Sequence, residues 1–247
     1  IIADDNFSLN IKRFEDICDA IVDAGHNDLR YIIQASSTGI ASSETLAEKM
    51  AKAGFRIVFL GIENVSKENL KNLKKGNIIE KTKIAVKRLH EQGIMIVGGM
   101  IIGLPNDKEE DIAENYEFFV GLDIDFFADQ ILTPYPKTPL REEMIEKGLV
   151  TNKYDYSRYN CFWANIRTNY LTPDELQFLR WKYNKKYADY ICTTKAFIKN
   201  YPAAYYYRTY FLRPYRKLKN SIFHNKLTER ELYREDMNRA EEMNKFF

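Results

Sequence analysis

Short apolar runs alternate with amphipathic segments over the first 132 or so residues, and this alternation limits the fold more than any other feature. The apolar runs are Ile1–Phe7, then "LRYIIQA", "FRIVFLGIEN", "IMIVGGMIIGLP" and "DFFADQILTPYP". Between them lie helical patterns such as "NIKRFEDICDAIVDAG", whose Ile11, Phe14, Ile17, Cys18, Ile21 and Val22 fall on one stripe. Strict alternation predicts five parallel strands joined by right-handed crossovers. The strands are rich in Ile, Val and Phe, which predicts a sheet covered on both faces.

The polar residues favour a barrel over an open sheet. Asp4, Asp5 and Asn6, then Gln34, Glu63, Gly103 with Pro105, and Gln130 with Thr133 all fall at the C-terminal ends of the runs. In a barrel those ends meet at one mouth. In an open sheet only the strands beside the switch point would share a site.

After residue 150 the alternation stops. Residues 1–150 are read as one partial barrel and residues 151–247 as a helical C-terminal region. Thr172 and Pro173 mark a helix start. Between Lys182 and Lys219 stand ten Lys or Arg against the single acid Asp189, interleaved with tyrosines. Two readings stay open for this tract: a surface that docks RNA or a protein, or a solvated face whose rings pack on the barrel. A net charge of +2 points to no nucleic-acid partner for the whole chain. No apolar run reaches the ~18 residues that span a bilayer. Cys18, Cys161 and Cys192 are far apart and odd in number, so a reducing, cytoplasmic setting is expected.

Several strand ends could carry chemistry. The period-two rule puts Gly99, Ile101 and Gly103 on one face, where bare backbone and one apolar side chain would seat an aromatic ring such as adenine. Packing at a tight barrel bend is the alternative. Glu63 could accept hydrogen bonds from ribose hydroxyls or an ammonium, or form an ion pair. Asp4, Asp5 and Asn6 could bind a cation or an ammonium, or cap the next helix. Pro134, Pro136 and Pro139 stiffen the exit of the last strand, where Gln130 and Tyr135 could face a substrate.

Four motifs in order at barrel spacing carry a resemblance: Asp4–Phe7 ("DDNF"), Gly61–Glu63 ("GIE"), Gly99–Pro105 ("GMIIGLP") and Thr133–Pro139 ("TPYPKTP"). Together they resemble the radical S-adenosylmethionine superfamily, in the branch with an N-terminal cobalamin-binding domain. The resemblance implies a partial (β/α)6 TIM-like barrel lacking its first strand, with a helical C-terminal extension. It implies S-adenosylmethionine as cofactor, with Asp4, Asp5 and Asn6 near its amino group. Glu63 and Gln34 would lie near its ribose, and Gly99, Ile101, Gly103 and Pro105 near its adenine. It also implies a 4Fe-4S cluster held by a Cys-x-x-x-Cys-x-x-Cys loop. That loop is absent from this sequence, so the ligands are expected outside this chain. Cobalamin, held by an upstream domain, is the further cofactor of the branch.

The expected function is the S-adenosylmethionine-binding part of an enzyme for radical methyl transfer, hydrogen abstraction or rearrangement. Its small-molecule or lipid substrate is undefined, and it is inactive without the cluster loop. A binding module that docks RNA or a protein through the basic Tyr-rich tract is the second reading. A barrel lyase or hydrolase using Asp5 and Glu63 as acid and base is the third. The edge left by the missing first strand is expected to be hidden by homodimerisation or by the chain's own tail.

Overall fold

Four parallel strands form one sheet in sequence order: β1 (Tyr31–Ser36), β2 (Phe55–Glu63), β3 (Met95–Ile102) and β4 (Phe126–Ile131). The structure is a computed structural model that describes residues 1–4, 6–65, 78–223 and 227–244. Helices α1 (Ile11–Asp23), α2 (Ser37–Ser42), α3 (Leu46–Lys52), α4 (Ile79–Glu91) and α5 (Glu109–Gly121) lie between or before the strands. Then come α6 (Pro139–Glu146), α7 (Pro173–Tyr187), α8 (Lys195–Asn200), α9 (Pro202–Tyr207), α10 (Arg213–Phe223) and α11 (Glu229–Asn244). This is the α/β class that the alternation predicts, in the partial-barrel form that the resemblance implies.

The opening run is a correction to the five-strand expectation. Ile2 N and Phe7 N donate to Ile32 O and Gln34 O of β1 at 3.0 and 3.1 Å. Five residues of the opening run are thus matched to two of β1. The segment bows off the edge and cannot keep a ladder in register. It still meets the β1 edge through these two hydrogen bonds.

The expectation that both sheet faces are covered is also corrected. Burial alternates along the strands. Ile33, Val58, Leu60, Ile62, Ile96, Met100, Ile102 and Ile131 are buried in one core with Phe14, Met50, Leu89, Tyr116, Phe119 and Leu179. On the other face Gln34 and Gln130 are exposed, and Phe59, Gly61, Val97, Ile101 and Ala128 are partly so. The helices pack against a single side, so the second face is left as an open concavity.

The C-terminal region shares that core through Ile166, Leu176, Tyr183 and Tyr187. Tyr183 stacks on Tyr116 at 5.1 Å. Past α7 the chain passes under the strand starts. Phe197 meets Phe126 edge-on at 5.7 Å, and Asn200 Nδ2 donates to Gly93 O at 2.9 Å. Buried Asp125 accepts from Ile96 N at 2.8 Å and faces His90 Nε2 at 3.1 Å. Met95, Cys192, Ala196 and Phe197 form a small apolar plug there. One end of the concavity is therefore closed, and the C-terminal strand ends remain as its mouth.

Candidate functional site

The strand register assembles the site. Ser36 pairs with Gly61, Gly61 with Gly99, and Gly99 with Ala128. Four consecutive strands therefore place a row of small residues across the open face. Gln34, Phe59, Val97 and Phe126 form the next row toward the closed end. Ile101 and Gln130 pair on the mouth side. The result is a shallow trough with bulkier side chains before and after it. A Cβ on Gly99 would come within 2.9 Å of the Phe59 ring, so that ring lies against bare backbone. A Cβ on Gly61 would meet only Glu63 Oε1, at 3.1 Å.

Glu63 ends β2 with φ 72°, in the left-handed region that costs a non-glycine residue about 1–2 kcal/mol. The pairing slips one residue between Gly61 and Glu63, which folds the carboxylate back over the trough. The following residues hold this turn. Asn64 Nδ2 donates to Ile101 O at 3.3 Å, and Val65 N donates to Asn115 Oδ1 at 2.8 Å.

Asp4 and Asn6 lie beside the β1 edge in a tight turn. Asn6 N donates to Asp4 Oδ1 at 2.9 Å, and Ser8 Oγ donates to Asn6 Oδ1 at 2.8 Å. Ser8 is buried, and its Oγ accepts from Ser36 N at 2.9 Å. Ser36 Oγ in turn caps α2 by accepting from Gly39 N at 3.1 Å. The next helix is capped not by Asp4 or Asn6 but by Asn10, whose Oδ1 accepts from Arg13 N at 3.0 Å. Asp5 lies outside the described residues. A Cβ on Gly39 would sit 2.4 Å from Ser8 Oγ and 2.8 Å from Ser8 O. Gly39→Ala is therefore expected to cost about 2–3 kcal/mol of stability, read as a lower urea midpoint at unchanged slope.

Gly103 does not share a face with Gly99 and Ile101, which corrects the period-two reading. Strand β3 ends at Ile102, and Gly103 turns away with φ 81°. A Cβ there would point at Leu176, Ile166 and Ile131. Buried Asp107 pins this turn by accepting from Gly103 N at 2.8 Å and Leu104 N at 3.0 Å. Pro105 O accepts from Asn169 N at 2.8 Å, which ties the turn to the C-terminal region. Tyr135 stands past β4, its hydroxyl 3.3 Å from Cys161 Sγ. That contact, with partial burial, pushes its phenol up to about 12. Cys161 O also accepts from Ile131 N at 2.8 Å, covering the β4 edge.

The structure thus brings Gln34, Glu63, Gly99, Ile101 and Gln130 onto one open face. Asp4 and Asn6 stand at its β1 edge, and Gly103, Pro105 and Tyr135 belong to flanking turns. Sequence reasoning missed Phe59, Ser36 and Ala128, which only the register aligns with the glycines. It also missed Asp107, which the offset of four from Gly103 could have revealed.

The trough suits a flat ring with attached hydroxyls: bare backbone and Phe59 for the ring, Glu63 and the Gln34 and Gln130 amides for polar edges. An iron–sulfur cluster finds no such fit. Cys18 is buried on the core side of α1, Cys192 lies in the plug and Cys161 at the β4 edge. Burial raises the Cys18 thiol to about 12, which disfavours the thiolate. No group of three or more His, Cys, Asp or Glu is placed to hold a metal among the described residues.

The radical SAM superfamily model matches residues 1–119. An uncharacterized methyltransferase of Pyrococcus horikoshii is 30% identical over 80% of this chain and 41% of its own length. The anaerobic magnesium-protoporphyrin IX monomethyl ester cyclase of Cereibacter sphaeroides is 28% identical over 71% of this chain and 28% of its own. This chain thus spans less than half the length of these curated relatives. Among solved structures, the radical S-adenosylmethionine methyltransferase TsrM from Kitasatospora setae, with cobalamin and a [4Fe-4S] cluster bound, superposes with a TM-score of 0.53. It is 24% identical, over 62% of this chain and 29% of that one, and the likeness is one of fold.

Proposed function

We propose, from the match of residues 1–119 to the radical SAM superfamily model, that the open sheet face holds the nucleoside of S-adenosylmethionine. The observation that carries the proposal is the row Ser36–Gly61–Gly99–Ala128, with open space above Gly61, the Phe59 ring seated on Gly99 and the Glu63 carboxylate beside them. Phe59 and Ile101 would contact the ring, and Glu63 would accept from the ribose hydroxyls. Gln34 and Gln130 would line the two sides. The Asp4–Asn6 turn would lie toward the methionine end. S-adenosylmethionine, when reduced by an electron from a cluster, supplies the radical or methyl chemistry of such enzymes.

This chain's own part is to orient that cofactor and keep water from its reactive end. The cluster's thiolates would come from outside residues 1–247, because the three cysteines here do not converge. The reaction proposed is methyl transfer, in line with the methyltransferase from Pyrococcus and with TsrM; the cyclase relative makes ring closure the second reading.

Titration calorimetry with S-adenosylmethionine tests the assignment of Glu63. Glu63→Gln removes a charge-assisted acceptor and is expected to weaken binding about tenfold. The thermal midpoint should stay put, since the amide keeps the shape. An affinity unchanged by Glu63→Gln would place the ribose elsewhere.

A further inference from the structure

We propose that the run from Pro202 to Phe223 is a membrane-surface helix that lies on an anionic bilayer. Its segments, α9, a wider π-type turn at Arg208–Leu212 and α10, follow one another without a break. The wider turn precedes Pro214, whose ring and missing N–H do not fit a regular helical interior.

One side of this helix faces the body. Arg208 donates to Ala188 O, and Arg213 pairs with Asp189 at 3.2 Å. The other side has no partner among the described residues. Tyr207, Phe211, Tyr215, Leu218 and Ile222 recur every three or four residues, the spacing of one helical stripe. Each is 60–67% exposed. Tyr206 stacks on Tyr210 and Tyr207 on Phe211, which widens the apolar band.

The charge on this helix selects the occupant. Residues 202–223 hold five cations and no acid. Lys217 and Lys219 flank the stripe and, like Arg216 behind it, form no ion pair among the described residues. An aromatic and aliphatic band flanked by Lys and Arg is the pattern of a helix lying in the plane of a bilayer interface. A second copy of this chain would bring like charges together. Single-stranded nucleic acid would use the rings, but Leu218 and Ile222 offer its bases nothing to stack on. No described helix is long and apolar enough to cross a membrane. The proposal does not depend on the S-adenosylmethionine site.

Sedimentation of the 247-residue chain with vesicles tests the proposal. Vesicles of phosphatidylcholine with about one-third phosphatidylglycerol should pellet it, and pure phosphatidylcholine should bind it far more weakly. A lysine near an anionic surface contributes about fivefold, so Lys217→Gln with Lys219→Gln should weaken binding about 25-fold. Phe211→Ser with Leu218→Ser should weaken it at least about tenfold through lost apolar burial. Ile222→Gln, near the helix end, serves as the independent variant should that pair lose helicity. Hydrogen exchange in residues 206–222 should slow on the vesicles.

Failure to pellet with anionic vesicles would overturn the proposal. So would vesicle binding that needs the lysines but ignores the apolar substitutions, with equal affinity for single-stranded RNA, which marks a polyanion surface. A dimer that Phe211→Ser dissociates, without vesicle binding, would assign the stripe to a second copy.

Discussion

Arg180→Ala is expected to cost about 3–5 kcal/mol of folding stability, the loss typical of a buried ion pair stripped of one partner. Asp129 sits in β4 with 4% of its surface exposed and points into the helix-covered side. Arg180 Nη2 reaches its Oδ1 at 3.1 Å, and Arg180 Nε reaches its backbone oxygen at 3.2 Å. The Tyr116 hydroxyl and Asn184 Nδ2 donate to Oδ2. Burial and the Asp129 charge hold the Tyr116 phenol far above its ordinary range, so it remains a donor. Without the guanidinium the carboxylate keeps only neutral donors in a dry setting. Urea unfolding should show the midpoint fall steeply, while Asp129→Leu with Arg180→Met should recover most of the loss, because no charge is then stranded. An Arg180→Ala variant as stable as the parent would mean that the ion pair adds nothing to the joint between α7 and the sheet.

Gly61→Val is expected to leave the fold intact and to weaken S-adenosylmethionine binding about thirtyfold, the equivalent of ~2 kcal/mol of steric conflict. The space above Gly61 holds only the Glu63 carboxylate, which can swing aside, and valine suits a strand. Its two methyl groups would stand in the middle of the small row. Calorimetric binding and a thermal melt on the same sample separate the two effects. If glycine served packing alone, the melt would fall and the binding would not.

Much of the fold was legible because it is written in local periods. Strands β1 to β4 and helices α1, α3, α4, α5 and α7 follow from apolar spacing, Gly stops and the Thr172 cap. The opening run failed as a strand because pairing is not local: its apolar residues suit a strand, but its register against β1 does not. Gly103 failed on the face rule because a left-handed turn resets the alternation.

The site was half legible. Glu63, Gly99 and Ile101 were found from strand ends and glycine spacing, whereas the row through Gly99 needs Ser36, Gly61 and Ala128 from the three other strands. Asp129 was passed over because its partners Tyr116, Arg180 and Asn184 lie 13, 51 and 55 residues away.

A photoreactive S-adenosylmethionine analogue carrying an azide on its adenine, cross-linked to the chain and mapped by peptide mass spectrometry, locates the ring directly. Label on Phe59–Glu63 and on Val97–Ile101, competed away by S-adenosylmethionine and lost in Gly61→Val, is the expected result. Label confined to the helices past residue 150 would contradict a nucleoside seat on the open face of the sheet.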